Sequence, residues 1–147
     1  MSEQTTQNYA NHRRYVPGYH YFLTLLVTVT LVCSGIYFGK AMMASSGRYA
    51  AALIFCLSVI GLFCWFYMRA FAIKAQDRAI RAEENFRHYV LTGKQLDSRL
   101  RMGQIVALRF ASDEEFVALV TKAAAENMKP DDIKKAIKTW RPDNHRA

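Results

Sequence analysis

Two stretches of the chain are apolar almost without interruption, and the remainder mixes apolar with charged positions. Residues 21–38 read YFLTLLVTVTLVCSGIYF and residues 49–68 read YAAALIFCLSVIGLFCWFYM, neither with a charged side chain. A helix needs about 20 apolar residues to cross a hydrocarbon core ~30 Å thick, so two transmembrane helices are expected. Rings stand where a bilayer meets water: Tyr15, Tyr19 and Tyr21 at the first span, Tyr37 and Tyr49 around the connection, and Trp65, Phe66 and Tyr67 at the end of the second. Arg13 and Arg14 before the first run also suit a cleaved signal peptide. The run is longer than the h-region of about 7 to 15 residues, however, and no A-x-A site follows it. Uncleaved insertion is the expectation.

Beyond Met68 the pattern acquires a helical period. RAFAIKAQDRAIRAEENFRHYVLTGK lacks proline and has no glycine before Gly93, and Phe71, Ala75, Ala79, Ala82, Phe86 and Tyr89 trace one stripe. Asp77 with Arg81, Glu83 with Arg87, and Glu84 with His88 stand four apart with the acid leading, the favourable order for pairing on a helix. The second span should therefore run on as one helix and end at Gly93, a C-terminal cap. Three shorter helices follow. GQIVALRFA offers Ile105, Val106, Leu108 and then Phe110. EEFVALVTKAAAENM places Phe116, Leu119, Val120 and Ala123 on one side, and PDDIKKAIKTW places Ile133, Ile137 and Trp140 on another, opened by Pro130. The fold class is thus all-α. Its parts are an N-terminal segment 1–20, transmembrane helix 21–38, a loop 39–48, transmembrane helix 49–68, a helical extension 69–92 and a short-helix domain 93–147. MSEQTTQNYANHRR and RPDNHRA read as mobile or peptide-like ends.

Charge orients this hairpin. The 147 residues carry 20 Lys and Arg against 12 acids, a net +8. The loop 39–48 holds Lys40 and Arg48, whereas Arg13, Arg14, Arg69, Lys74, Arg78 and Arg81 flank the other ends. By the positive-inside rule both termini and residues 69–147 should be cytoplasmic. Within the spans, Thr24, Thr28, Leu31, Gly35 and Gly39 share a face, as do Ala51, Ser58 and Gly61. Such small residues let helices approach in lipid, here more plausibly within the hairpin than against a partner.

Candidate chemistry is sparse. No acid, base or histidine lies well inside either span, which argues against an ion or proton path built from this chain alone. Cys33, Cys56 and Cys64 have no metal or disulfide spacing and act as small hydrophobes, while His12, His20, His88 and His145 lie outside the spans or at an edge, where His20 suits an interfacial role. The acids in ALRFASDEEFVALV draw attention. Ser112 and Glu115 form S-x-x-E, a capping box, with Asp113 and Glu114 in the first turn where the helix dipole favours negative charge. Asp131 and Asp132 open the last helix in the same way. No nucleophile elbow, phosphate loop or zinc spacing is present. No catalytic, cofactor-binding or metal residue is assigned, and no cofactor is expected.

The segments NYANHRRYVPGYHYF, QDRAIRAEENFRHYVLTGK, GQIVALRFASDEEFVALV and IKKAIKTWRPD together resemble a family of small bacterial two-span membrane proteins classed as a domain of unknown function. The resemblance spans nearly the whole chain. It implies a bacterial inner-membrane protein with a helical cytoplasmic tail, and supplies no activity or site residue. Three function classes follow. The leading one is a non-catalytic membrane protein presenting its basic tail to a partner membrane complex or to anionic lipid. Its partners are the bilayer and a larger membrane-protein complex or a homo-oligomer. Membrane-tethered nucleic-acid binding through Lys134, Lys135 and Lys138 is disfavoured, because the turn before that helix lacks glycine and the helix has few base-reading side chains. A membrane-surface enzyme has only the prospect of a site assembled in three dimensions.

Overall fold

The computed structural model describes residues 7–12 and 15–143. Residues 1–6, 13–14 and 144–147, with His145, Arg13, Arg14 and most of the chain ends discussed above, lie outside the described residues. The described residues are helical throughout except for turns and one isolated bridge. A π-helical segment Gly18–Leu23 leads into α1 (Thr24–Ala44), followed by α2 (Arg48–Thr92), α3 (Met102–Leu108), α4 (Asp113–Ala125) and α5 (Pro130–Ala136). The chain divides into two compact units, Tyr15–Ala72 and Ile73–Ala147 with Met1–Arg14. Helix α2 contributes to both.

In the unit Tyr15–Ala72 two helices are long and apolar enough to cross a membrane, Gly18–Ala44 and Arg48–Thr92. The connection is shorter than the loop 39–48 expected from composition. Helix α1 runs on past Gly39 and Lys40, because nothing there breaks it, and the reversal is confined to residues 45–47, with Ser45 and Gly47 left-handed. The Arg48 guanidinium donates to the Met42 carbonyl at 3.1 Å, satisfying an acceptor at the C-terminal end of α1.

The shielded face of α1 runs through Thr24, Val27, Leu31, Ser34, Phe38 and Ala41, with Gly35 beside it, and that of the first part of α2 through Ala51, Phe55, Ser58, Leu62 and Trp65, with Ala52, Val59 and Gly61 beside it. Both sets step by three and four, the period of a left-handed helix pair. At the centre the Ser34 and Ser58 hydroxyls lie 2.7 Å apart, and each is also within reach of a carbonyl on its own helix, Leu31 and Phe55, so one hydroxyl donates across to the other while the acceptor donates to its own helix. Phe55 stacks on Phe38 and rests over Gly35. The small-residue face expected from sequence is therefore shared only in part. Thr28 and Gly39 turn outward, Thr28 satisfying its hydroxyl on the Thr24 carbonyl. At the other end Tyr19 stacks on Trp65, donates its hydroxyl to the Trp65 carbonyl and lies under the Arg69 guanidinium.

In the second unit the apolar faces of α3, α4 and α5 close on one another as their periodicity predicts. Ile105, Leu108, Phe110, Phe116, Val120, Ala123, Ile133 and Ile137 are buried, and Trp140 is partly so. A Cβ at Gly103 would come within 3.2 Å of Pro130 Cγ, so this glycine permits the approach of α3 to α5. Gln104, buried, caps α3 by accepting from the Arg101 N–H at 2.7 Å and donates to the Met128 carbonyl at 2.8 Å. Trp140 pairs with Ala111 as a bridge, and Arg141 N–H donates to the Phe110 carbonyl at 2.7 Å. Gly93, at φ +72°, ends α2 in the conformation glycine adopts without strain.

The face that α2 gives to this core differs from the stripe seen in sequence. Ile80, Glu84 and His88 are buried, whereas Phe86 and Tyr89 are exposed. Polar side chains are tolerated inside because each finds a partner there. The His88 ring meets the Lys94 carbonyl at 2.8 Å and the edge of Phe116, and Asn85 accepts from the Leu96 N–H at 2.9 Å. The N-terminal segment is also part of this unit. Gln7 exchanges hydrogen bonds with the Asp143 backbone, Tyr9 lies under the Lys135 ammonium, and His12 packs between Tyr9, Phe110 and Trp140.

Candidate functional site

The acids singled out by sequence are divided among three tasks. Ser112 takes the N-cap position of α4 with extended backbone, but its hydroxyl makes no cap hydrogen bond and is buried without a partner. Glu115 does not reach back to it. Its carboxylate instead accepts from the Lys138 and Thr139 N–H groups at 3.1 and 3.0 Å, tying α4 to the chain beyond α5. The expected capping box is thus replaced by a long-range tether. A charged acceptor gains more from two free N–H donors at the end of α5 than from one donor within its own turn. Asp113 goes elsewhere, to Arg87.

Arg87 lies at the centre of this charge network. From α2 it donates to Asp113 at 2.6 Å, to the Ala111 carbonyl at 2.7 Å and to Glu84 at 3.1 Å, with its guanidinium 4.2 Å from the centre of the Phe116 ring. The i,i+4 pairs expected along α2 do not form. Arg87 pairs one turn back with Glu84, at i,i+3, and His88 turns to the Lys94 carbonyl. Burial pushes the Glu84 carboxyl above its usual range, partly countered by the adjacent Arg87. Arg109 pairs with Asp143 at 3.2 Å rather than with the acids that follow it. Asp131 lies 3.8 Å from Lys134 in the first turn of α5.

A cleft of about 530 Å³ opens between α2 and the residues that follow it. Arg78 and Arg81 line one wall, and Gln95, Asp97 and Ser98 the other, over a floor that includes Leu96 and Ile105. Among the described residues, Arg78 and Arg81 have no carboxylate partner. Asp97 is already engaged by Arg99 at 2.6 to 3.1 Å, which holds its carboxyl down at about 2. A second cleft, of about 390 Å³, exposes Glu83, Arg87, Asp113 and Arg141. No group of three or more His, Cys, Asp or Glu gathers at metal-binding distance among the described residues. Among the described residues, His20 meets the Val16 backbone and the rings of Tyr15 and Tyr19. Cys33, Cys56 and Cys64 are free and exposed on their helices.

From sequence, Arg78 and Arg81 had only their charge and a helical pair for Arg81, Ala82 and Ile105 lay on apolar faces, and Asn85, Gln95, Leu96, Asp97 and Ser98 had no role. The i,i+4 spacing of Asp77 concealed that Arg81 faces an open wall. A family model, "Family of unknown function (DUF6526)", matches residues 1–147. The chain belongs to the DUF6526 family. Neither curated proteins nor solved structures give a match. For this DUF6526 member, the chemistry of the side chains is therefore the ground for a functional reading.

Proposed function

We propose that the chain is a non-catalytic integral membrane protein of the bacterial inner membrane, anchored by α1 and the first half of α2, whose cytoplasmic helical unit presents basic residues to anionic lipid. The observation that carries this reading is the distribution of charge in the unit Ile73–Ala147. Glu84, Asp97, Asp113 and Asp143 pair with Arg87, Arg99 and Arg109, while Lys74, Arg78, Arg81 and Lys94 stay without a carboxylate partner among the described residues. A basic segment just past a span gains about 1 kcal/mol per Lys or Arg near an anionic leaflet. Both termini are cytoplasmic in this reading. The contacts of Gln7, Tyr9 and His12 with residues 110–143 support that, since they require the two ends of the chain to share one compartment.

The test is lipid retention. Full chain extracted in a mild zwitterionic detergent should carry anionic lipid in excess over zwitterionic lipid by mass spectrometry, and Lys74→Gln with Lys94→Gln should reduce the excess. Lipid retained in the proportions of the starting membrane would contradict the reading. Reproducible crosslinks from the tail to one other protein, formed in native membranes, would direct it to a partner complex instead.

A further inference from the structure

We infer that the cleft between α2 and residues 95–98 is a binding site for a phosphate group carried on a small organic ligand, held by Arg78 and Arg81. The reasoning begins with geometry. Residues three apart on a helix are neighbours on one face, so Arg78 and Arg81 line the cleft side by side from α2. Each presents five N–H donors in a planar fork that matches phosphate oxygens. The opposite wall supplies neutral groups of the right kind, the Ser98 hydroxyl and the Gln95 amide. Asn85, lower in the cleft, spends its oxygen on the Leu96 N–H at 2.9 Å, which fixes the loop and leaves its amide nitrogen as a donor.

Charge selects phosphate over carboxylate. A carboxylate is satisfied by one guanidinium, whereas a phosphomonoester carries about −1.5 to −2 charges at pH 7 on three acceptor oxygens, matching two arginines without a counter-ion of their own. Asp97 is the one acid on the wall, and its two oxygens are occupied by Arg99. The floor of Leu96, Ile105 and Ala82 gives apolar contact, which suits a phosphate borne on a short carbon skeleton better than the free ion. A soluble phosphomonoester meets the charge of the two arginines in full, and the phosphodiester headgroup of an anionic lipid, with one negative charge on two free oxygens, meets half of it. The site shares the basic charge of the proposed membrane attraction but does not depend on it, since it requires a defined stoichiometry and particular arginines.

The experiment titrates full chain in zwitterionic detergent with sn-glycerol 3-phosphate and with sn-glycero-3-phosphoglycerol by calorimetry. In parallel, full chain is reconstituted in phosphatidylcholine nanodiscs with or without phosphatidylglycerol, and the lipid bound per chain is counted by native mass spectrometry. The expected result is saturable one-to-one binding, weakened about tenfold or more by Arg78→Gln with Arg81→Gln, the equivalent of roughly 1.4 kcal/mol. Both arginines are exposed, so the double variant should keep the helical spectrum and unfolding midpoint of the parent. Lys138→Gln, outside the cleft, should bind as the parent does. Binding of the monoester that strengthens as pH rises through about 6, where its second proton leaves, assigns the soluble source. Saturable retention of one phosphatidylglycerol, lost in the double variant and without binding of the monoester, assigns the headgroup. The proposal is overturned if neither probe nor lipid binds saturably, or if the double variant binds as the parent does. An anionic-lipid excess that survives in the double variant alongside those outcomes would leave the surface reading standing. Saturable monoester binding without any lipid preference would do the reverse.

Discussion

The two units order their side chains in opposite senses. In Tyr15–Ala72 the large residues face outward, with Leu57 65% and Ile60 56% exposed, while Ser34, Ala41, Ala51 and Ser58 are the buried positions. In the tail unit Ile105, Leu108, Phe110, Phe116 and Ile133 are the largest fully buried side chains. Water drives the second arrangement, because each large apolar side chain removed from it gains about 1.5 to 3 kcal/mol. That drive vanishes in hydrocarbon, where small residues and interhelical hydrogen bonds decide which faces meet. In the proposed membrane reading, helix α2 passes from one regime to the other. Along it the shielded face changes from Ala51, Phe55 and Ser58 to Ile80, Glu84 and His88.

The widest gap between the units should appear on truncating a large side chain in each. Phe116→Ala removes a fully buried ring and should cost about 3 to 5 kcal/mol, enough to unfold a small domain. Ile60→Ala should change stability by less than about 0.5 kcal/mol in detergent. Denaturant titration of the full chain, followed by helical circular dichroism and by the fluorescence of Trp65 and Trp140, measures both. Equal costs would erase the comparison.

Arg87→Ala is next in size. It deprives the buried Glu84 of its counter-charge and frees Asp113, at a cost of roughly 2 to 3 kcal/mol. The pH dependence has a definite sign. Burial raises the Glu84 carboxyl in the folded chain, so its ionised form weakens the fold above that raised value. The penalty is relieved as pH falls through it towards the unfolded 4.5. Loss of Arg87 lifts the carboxyl further, and the variant should recover stability on moving from pH 7 towards pH 5. Glu84→Gln added to Arg87→Ala should abolish that recovery, and a recovery that persists would place its origin in another group.

Glu115→Ala removes the tether to Lys138 and Thr139 and should cost about 1 to 2 kcal/mol. Ser112→Ala should be neutral or stabilise by up to about 1 kcal/mol, because its buried hydroxyl has no cap bond to lose and no partner. A working capping box would instead make the serine variant cost about 1 kcal/mol. The smallest effect lies in the hairpin, where a double-mutant cycle on Ser34→Ala and Ser58→Ala should give a coupling near 0.6 kcal/mol. Strictly additive losses would mean that the two hydroxyls do not depend on each other.

Most elements were legible because their signals are local. The two apolar runs, Pro130 at the start of α5, Gly93 after α2, and the apolar faces of α3 to α5 follow from spacing alone. The parts that were not legible depend on partners far along the chain. Phe86 and Tyr89 marked the apolar side of α2, yet the core takes Ile80, Glu84 and His88, because Arg87, Lys94 and Phe116 supply the polar and aromatic partners. Ser112 and Glu115 have the spacing of a local motif, and the stronger acceptor is drawn to N–H groups 23 and 24 residues away. Gln7 and His12 meet Asp143 and Trp140 across almost the whole chain, so their packing has no periodic signature. The arginine cleft has the same cause: Arg78 and Arg81 gain a facing wall only when residues 95–98 fold back along α2.

The central claim is that Tyr15–Ala72 is surrounded by lipid, with both chain ends in water on the cytoplasmic side. Labelling with a membrane-impermeant maleimide tests it most directly, because the native Cys33, Cys56 and Cys64 all lie on exposed helix surfaces. In sealed native membranes these three thiols should stay unlabelled until detergent is added. In a cysteine-free background, Gln7→Cys and Ser98→Cys should react only in inside-out vesicles, and Ser46→Cys only in right-side-out ones. Labelling of the native cysteines in intact membranes, or reaction of positions 7 and 98 from opposite sides, would contradict the account.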